Sequence, residues 1–263
     1  MATGTIAERA PAATETVLLL LTVAMVVLAW WEPVGINWII VLLIIALFFL
    51  VTGKAITGRA LGILINERNL MSLARLQLVI WTAIIVSAFF VIAIARIKSA
   101  DVAQPLAIGI DWKIWTLLGI STASFVGTPL LNANKANKEP KAAPAVLQKT
   151  ANRFQEPAAV VDQNRQGILY GNSAIADARF TDMFEGDELS NTHLVDVGKL
   201  QMFFFTIVVA IAYAAQLFQL IAYGDLDMAN VKLPEVNDGL LALMGVSNAA
   251  YLAGKGVDQT PTA

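Results

Sequence analysis

The chain has 263 residues, of which 57% are hydrophobic and only 14% charged, and its mean hydropathy is +0.65. A soluble globular domain carries about a quarter of its residues charged, so that class is excluded. The net charge of −2 and the dispersed basic residues give no nucleic-acid footprint. The absence of cysteine excludes disulfides and thiolate metal sites.

Residues 1–15 are rich in Ala, Thr and Glu. Glu8 and Glu15 precede the first apolar run with no basic stretch before it, which argues against a cleaved signal peptide. Crossing a bilayer takes about 20 apolar residues, and about 17 suffice. Runs at 16–32, 36–53, 73–97, 112–131, 198–223 and 236–254 reach or approach that length. The last is the most polar, with Asn237, Asp238 and Asn248 inside it, and is read as a span because it matches the fourth.

The first two runs predict a tight hairpin. Trp30-Trp31-Glu32-Pro33 closes one helix and Trp38 opens the next, as in an interfacial aromatic belt. In the connector 54–72, Leu61, Leu64 and Ile65 share a face beside Arg59, Glu67 and Arg68, which suits a short interfacial helix or a connector with buried leucines. Ser72 and Asp196 are placed to cap the third and fifth spans.

Residues 132–196 are the one sizeable polar segment. From Asn132 to about Ala159 the composition reads as a linker or solvated arm. Residues 167–172 then predict a short strand and turn, and Phe180, Met183 and Phe184 a short helix stopped by Gly186. This cap is too small to hold a core alone. Its acids Asp182, Glu185, Asp187 and Glu188 lack the ligand alternation of a calcium loop and are expected to face solvent. His193, the sole histidine, offers no zinc site or nucleophile relay.

An internal repeat underlies the second half of the pattern. Ser72-Leu73-Ala74-Arg75-Leu76-Gln77 with Trp81-Thr82 returns as Asp196-Val197-Gly198-Lys199-Leu200-Gln201 with Phe205-Thr206. Gly119-Ile120-Ser121-Thr122-Ala123 likewise returns as Gly245-Val246-Ser247-Asn248-Ala249. The fold class this implies is an all-α integral membrane protein with six transmembrane helices. It contains a parallel duplication of a two-helix hairpin, spans 3–4 and 5–6. The divisions are 1–53, 54–131, 132–196 and 197–263. With the N-terminus inside, only Arg96, Lys98, Lys113 and Lys232 of the 18 Lys and Arg fall outside, so both termini are assigned to the cytoplasm.

Candidate polar membrane positions are Gln77, Gln201, Ser121, Ser247 and Gln216. The two glutamines either form a polar ring at a pore mouth or bond between helices. Thr82 and Thr206 are expected to bond back to their own helices. Arg75 and Lys199 are expected to snorkel to lipid headgroups. Gly119, Ala123 and Gly127, and equally Gly245, Ala249 and Ala253, fall on single helix stripes suited to close packing.

No ionisable residue lies at the core of any span, which disfavours proton-coupled transport. The expected function is that of a non-enzymatic scaffold, anchor or subunit of a larger membrane assembly, in a bacterial inner membrane. Lipids and further copies or other subunits are its partners. The alternative is an oligomeric channel or facilitator lined by the repeated Gln and Ser positions. No convergent acid, base, nucleophile or metal set supports an enzyme, and no cofactor is expected.

Overall fold

The structure is a computed structural model that describes residues 12–31, 34–99, 103–224, 227–228 and 230–263. Among these it contains eight α-helices and no strand beyond isolated pairings. They are α1 (Ala12–Trp31), α2 (Val34–Thr57), α3 (Leu73–Lys98), α4 (Trp112–Ala136), α5 (Ala143–Phe154), α6 (Ala158–Asn164), α7 (Val197–Tyr223) and α8 (Asp238–Gly256). Five of these, α1, α2, α3, α4 and α7, are long and apolar enough to cross a membrane. The protein is a helical multi-pass membrane protein.

The chain divides into two compact units. The first comprises residues 1–63, 83–109 and 215–233, and the second 64–82, 110–214 and 234–263.

In the first unit α1 and α2 form the expected hairpin, although Glu32 and Pro33 at its turn, like residues 1–11, lie outside the described residues. Asn37 Nδ2 donates to Ala29 O at 3.1 Å, Trp38 Nε1 to Ser87 Oγ at 3.1 Å, and Lys98 Nζ to Trp30 O at 2.7 Å. Gly35 lies so close to Ala222 that a Cβ there would stand 2.9 Å from the Ala222 Cα. The interfacial helix sought near Leu61–Ile65 is a single 3₁₀ turn, Gly62–Leu64. Two glycines explain the difference. Gly58 takes φ +78° and stops α2, and a Cβ on Gly62 would collide with the Thr57 side chain.

In the second unit α4 and α8 run side by side in the same direction. Lys113, at the start of α4, pairs with Asp238 at 2.9 Å. Midway, Ser124 Oγ donates to Asn248 Oδ1 at 2.6 Å, and the Thr128 hydroxyl lies 3.2 Å from the Tyr251 hydroxyl. At the far end Lys135 Nζ donates to Val257 O at 2.7 Å. Both helices are inside out. Toward each other they turn Ser124 and Thr128 on α4, and Asn248 and Tyr251 on α8, while Ser121, Asn132 and Ser247 are buried as well. Outward they turn Trp115, Val126 and Leu130, and Leu243, Val246 and Ala249.

The stretch expected to be a linker or solvated arm is helical instead. Along α5, Leu147, Thr150 and Ala151 are buried, giving that helix one apolar face. That face meets Leu70, Val161, Tyr170 and Leu189 in a small core, with Phe154 stacked on Tyr170 at 4.5 Å. Leu70 comes from the connector before α3, so the cap completes its core with a residue from outside 132–196. The strand expected at 167–172 is only a pair of isolated pairings, Gln166 with Leu169 and Leu169 with Glu188. The short helix is the 3₁₀ turn Phe180–Phe184, and Gly186 follows it where Asn191 leaves no room for a Cβ.

Candidate functional site

Asp187 and Glu188, expected at a solvated surface, are instead the centre of a buried charge cluster within the second unit. The side chain of Glu188 is only 1% exposed. Asp187 Oδ1 accepts from Arg68 Nη2 at 2.7 Å, and Oδ2 accepts from Lys255 Nζ at 2.6 Å with Lys199 Nζ at 3.0 Å. Three cations, from the connector before α3, the first turn of α7 and the last turn of α8, thus meet on one carboxylate. Burial alone would raise its pKa; Lys199, Lys255 and Arg68 outweigh that and hold it well below the usual carboxylate range.

Glu188 closes the other side. Oε1 accepts from Lys135 Nζ at 2.5 Å, in the last turn of α4. Oε2 accepts from the backbone N–H groups of Gln259 at 2.9 Å and Thr260 at 2.5 Å. Lys138 pairs with Asp258 beside it. One dipeptide therefore holds ends of α4, α7 and α8, the loop before α3 and the segment after α8. Lys135 and Lys255 stand at helix C-termini, where the macrodipole favours cations; Lys199 stands at an N-terminus, where it does not. The Asp187 carboxylate and the Glu185 carbonyl, 2.6 Å from Lys199 Nζ, offset that disadvantage.

A second carboxyl nearby behaves oppositely. Burial pushes the pKa of Asp182 up, partly offset by hydrogen bonds to its Oδ2 from the N–H groups of Arg179 at 2.8 Å and Met71 at 3.2 Å. A small void of about 20 Å³ lies between Asp182, Asp187, Lys199 and Tyr251, room for about one water. A larger cleft of about 350 Å³ opens beside Lys135, Lys255 and Glu188.

The positions singled out in the sequence fall in unlike environments. Gln77 is fully buried with neither amide atom hydrogen-bonded, whereas Gln201 and Gln216 are exposed. Ser121 donates to Leu117 O at 3.1 Å, and the buried Ser247 hydroxyl has no partner. Thr206 bonds back to Met202 O at 2.8 Å. Asp196 caps α7, accepting from Lys199 N at 3.1 Å; Ser72 stands 3.5 Å from Arg75 N.

Arg75 is half-buried over the Phe125 ring, 5.7 Å from its centroid. Lys199, expected among lipid headgroups, is only 4% exposed and is spent on Asp187. Gly119, Ala123, Ala249 and Ala253 point away from the α4–α8 seam. The buried Ser121 and Ser247 lie two positions from Gly119 and Gly245, about 200° around the helix. Two stripe glycines do approach the other helix: Leu252 would stand 3.3 Å from a Cβ on Gly127, and Ile120 3.8 Å from one on Gly245.

Sequence reasoning passed over Arg68, Lys135, Asp187, Glu188 and Lys255 as a group. A usable signal was present: Lys135, Lys199 and Lys255 each sit within one turn of a helix end, and the adjacent acids lie in a segment rich in buried apolar residues. No group of three or more His, Asp or Glu residues able to hold a metal ion occurs among the described residues.

No known protein family, curated protein or solved structure matches this chain.

Proposed function

We propose that the chain is a non-enzymatic scaffold or subunit of a larger membrane assembly, with six spans and both ends on the cytoplasmic side of a bacterial inner membrane. The sixth span is α8. It falls short on hydropathy because of polar residues, of which Asn248 and Tyr251 meet Ser124 and Thr128 of α4. Its far face is apolar, and it reaches both ends of α4 through Lys113–Asp238 and Lys135–Val257. A helix with polar residues inward and apolar residues outward is stable beside lipid and unfavourable beside water. The cation bias, with four of 18 Lys and Arg outside, supports the orientation.

The assembly reading rests on one observation. The small residues Gly119 and Ala123 on α4, and Ala249 and Ala253 on α8, are exposed on faces that the described residues leave uncovered. At Gly119 a Cβ would meet nothing within 4 Å. Small residues on a lipid-facing stripe permit close approach by helices of another chain. The test combines extraction in mild detergent with Gly119→Leu and Ala249→Leu. Co-purification in a defined large complex, lost in the double variant while thermal stability is kept, is the expected result. A free monomer from native membranes counts against the reading.

A second reading, the pore or facilitator, is favoured by the unpartnered Gln77 amide and Ser247 hydroxyl, since buried polar groups without partners are uncommon. Liposome flux tests it. If the purified protein conducts nothing and Gln77→Leu is harmless in cells, that reading fails.

A further inference from the structure

We propose that the edge of the cap formed by Phe180, Phe184, Leu194 and Val195 inserts into the bilayer interface, its partner being lipid and not protein. This inference goes beyond the assembly reading and does not depend on it.

Depth is the first ground. The rings of Phe180 and Phe184 pack edge-on against Phe203 of α7, with centroids 6.1 and 5.1 Å away, and Phe203 packs against Phe204 at 5.6 Å. A helix of 27 residues is about 40 Å long and the hydrocarbon core about 30 Å thick, so a centred span leaves about 5 Å outside at each end. Phe203 lies six residues beyond Val197, where α7 begins, or about 9 Å along its axis. It therefore lies inside the hydrocarbon boundary, whereas Asp196 and Lys199 lie outside. Two cap side chains that touch Phe203 reach that boundary from the side.

Continuity with the span is the second ground. Val197, Phe204, Val208 and Ile211 are 55 to 71% exposed and fall within about 60° around α7, forming its lipid-facing stripe. Gln201, exposed on the same stripe, stands near the boundary, where an amide can reach the headgroups. Phe180, itself 47% exposed, extends the apolar surface onto the cap through Phe203 and Phe204. Leu194 and Val195, exposed at 55 and 66%, extend it from Val197. One apolar surface thus runs from the span onto the cap, and the lipid beside the span meets it.

The third ground is that the edge is prepared for apolar surroundings, where unpaired backbone polar groups are costly. Asp196 N donates to Phe184 O at 2.7 Å and Gly186 N to Leu194 O at 3.2 Å, tying its two strips together. The charges beside it are turned elsewhere. Asp182 accepts from Arg179 N and Met71 N, Asp196 accepts from Lys199 N, and the Arg179 guanidinium stands 5.5 Å from the Phe154 ring centre. Glu185 is half-buried and limits the insertion to the zone where headgroups and acyl chains meet. Phe and Leu side chains on interfacial segments seat about 5–10 Å into that zone.

The chain has no cysteine, so a single one can be introduced and spin-labelled without other changes. Full-length Phe180→Cys, Val195→Cys, Ile211→Cys and Gln163→Cys are labelled in phosphatidylcholine nanodiscs. Electron paramagnetic resonance then compares collisions with oxygen, which concentrates in lipid, and with a neutral nickel chelate, which stays in water. Ile211 marks the lipid-facing stripe and Gln163, exposed on α6, marks the aqueous side of the cap. Labels replacing Phe180 and Val195 are expected to shift toward oxygen, as at Ile211, and the label replacing Gln163 toward nickel. Nickel access at Phe180 or Val195 overturns the proposal, and exclusion of both reagents there overturns it by assigning the face to a second copy of the chain. Should Phe180→Cys fail to fold, Val195→Cys decides alone; nickel access at Ile211 would remove α7 as a span and the inference with it. In native membranes, photoreactive benzoylphenylalanine in place of Val195 is expected to cross-link to lipid, and a discrete protein adduct there would overturn the proposal in favour of a partner subunit.

Discussion

Arg68 Nη2 stands 2.7 Å from Asp187 Oδ1 across 119 residues of sequence, and the same guanidinium also donates to the carbonyls of Asp187 and Tyr170. The connector before α3 is thereby fixed to the cap by a cation that hydropathy reading treats only as a marker of the cytoplasmic side. Removing one member of a buried, hydrogen-bonded ion pair costs about 3–5 kcal/mol. Asp187→Asn leaves Arg68, Lys199 and Lys255 without their shared charge. It is expected to lower stability by about that amount, measured as thermal or denaturant unfolding in detergent.

Asp182→Asn should behave differently. Its Oδ2 accepts two backbone N–H bonds, which an amide oxygen can also accept, and burial penalises the charged form. The variant is expected to be neutral or stabilising at pH 7. A large loss would show that the carboxylate charge itself is needed.

The pH dependence of stability follows from the same two groups with opposite signs. The folded pKa of Asp187 lies below the unfolded carboxylate value, so its contribution is present above about pH 4 and is lost as pH falls through the folded value. The folded pKa of Asp182 is raised, so its contribution is favourable at low pH and is lost as pH rises through the folded value. Between pH 4 and neutrality, acidification should therefore relieve Asp182 before it releases Asp187. In Asp182→Asn the rise in melting temperature on mild acidification should vanish while the collapse at lower pH remains.

The α4–α8 seam gives a double-mutant cycle. Ser124→Ala and Asn248→Ala each remove one side of a 2.6 Å hydrogen bond. Their coupling should be about 0.6 kcal/mol, with an upper range near 1.7, the scale of interhelical hydrogen bonds in double-mutant cycles of a helical membrane protein. Zero coupling would mean that the two side chains do not meet in the folded protein.

Two glycines form a contrasting pair. Gly35→Ala places a methyl 2.9 Å from Ala222 Cα, a backbone atom that cannot swing aside, and should cost about 1–3 kcal/mol. Gly119→Ala meets open space and should be neutral or gain up to about 1 kcal/mol from helix propensity. Unfolding of the two variants in the same detergent compares them directly.

The long helices were legible because bilayer thickness demands an apolar run, and α3, α4 and α7 begin within a residue of the runs that announce them. The bonds of Trp38 and Lys98 that knit the α1–α2 hairpin unit gave no such signal, since their partners Ser87 and Trp30 lie 49 and 68 residues away. The Lys/Ala/Pro stretch misled for a physical reason. α5 is amphipathic with a weakly apolar face, and its burial depends on Leu70 and Tyr170, which composition alone does not bring near. The repeat was visible as letters, but not in its consequences. Gln77 and Gln201 share a register and not an environment, because burial of a helix position is decided by the neighbours that each copy meets.

The inside-out character of α8, the sixth span proposed above, bears on how the chain enters the membrane. With Asn248 and its flanking polar residues bare, α8 is a poor candidate for autonomous release into lipid, whereas α4 carries a complementary polar face and is synthesised 124 residues earlier at the Ser124–Asn248 contact. The expected order is that α4 remains near the insertion machinery until α8 emerges, and the two leave as a pair. Replacing Ser124, Thr128 and Asn132 with leucine should then impair the membrane integration of α8, a helix in which nothing has been changed. Glycosylation mapping of the segment following α8 would detect that failure.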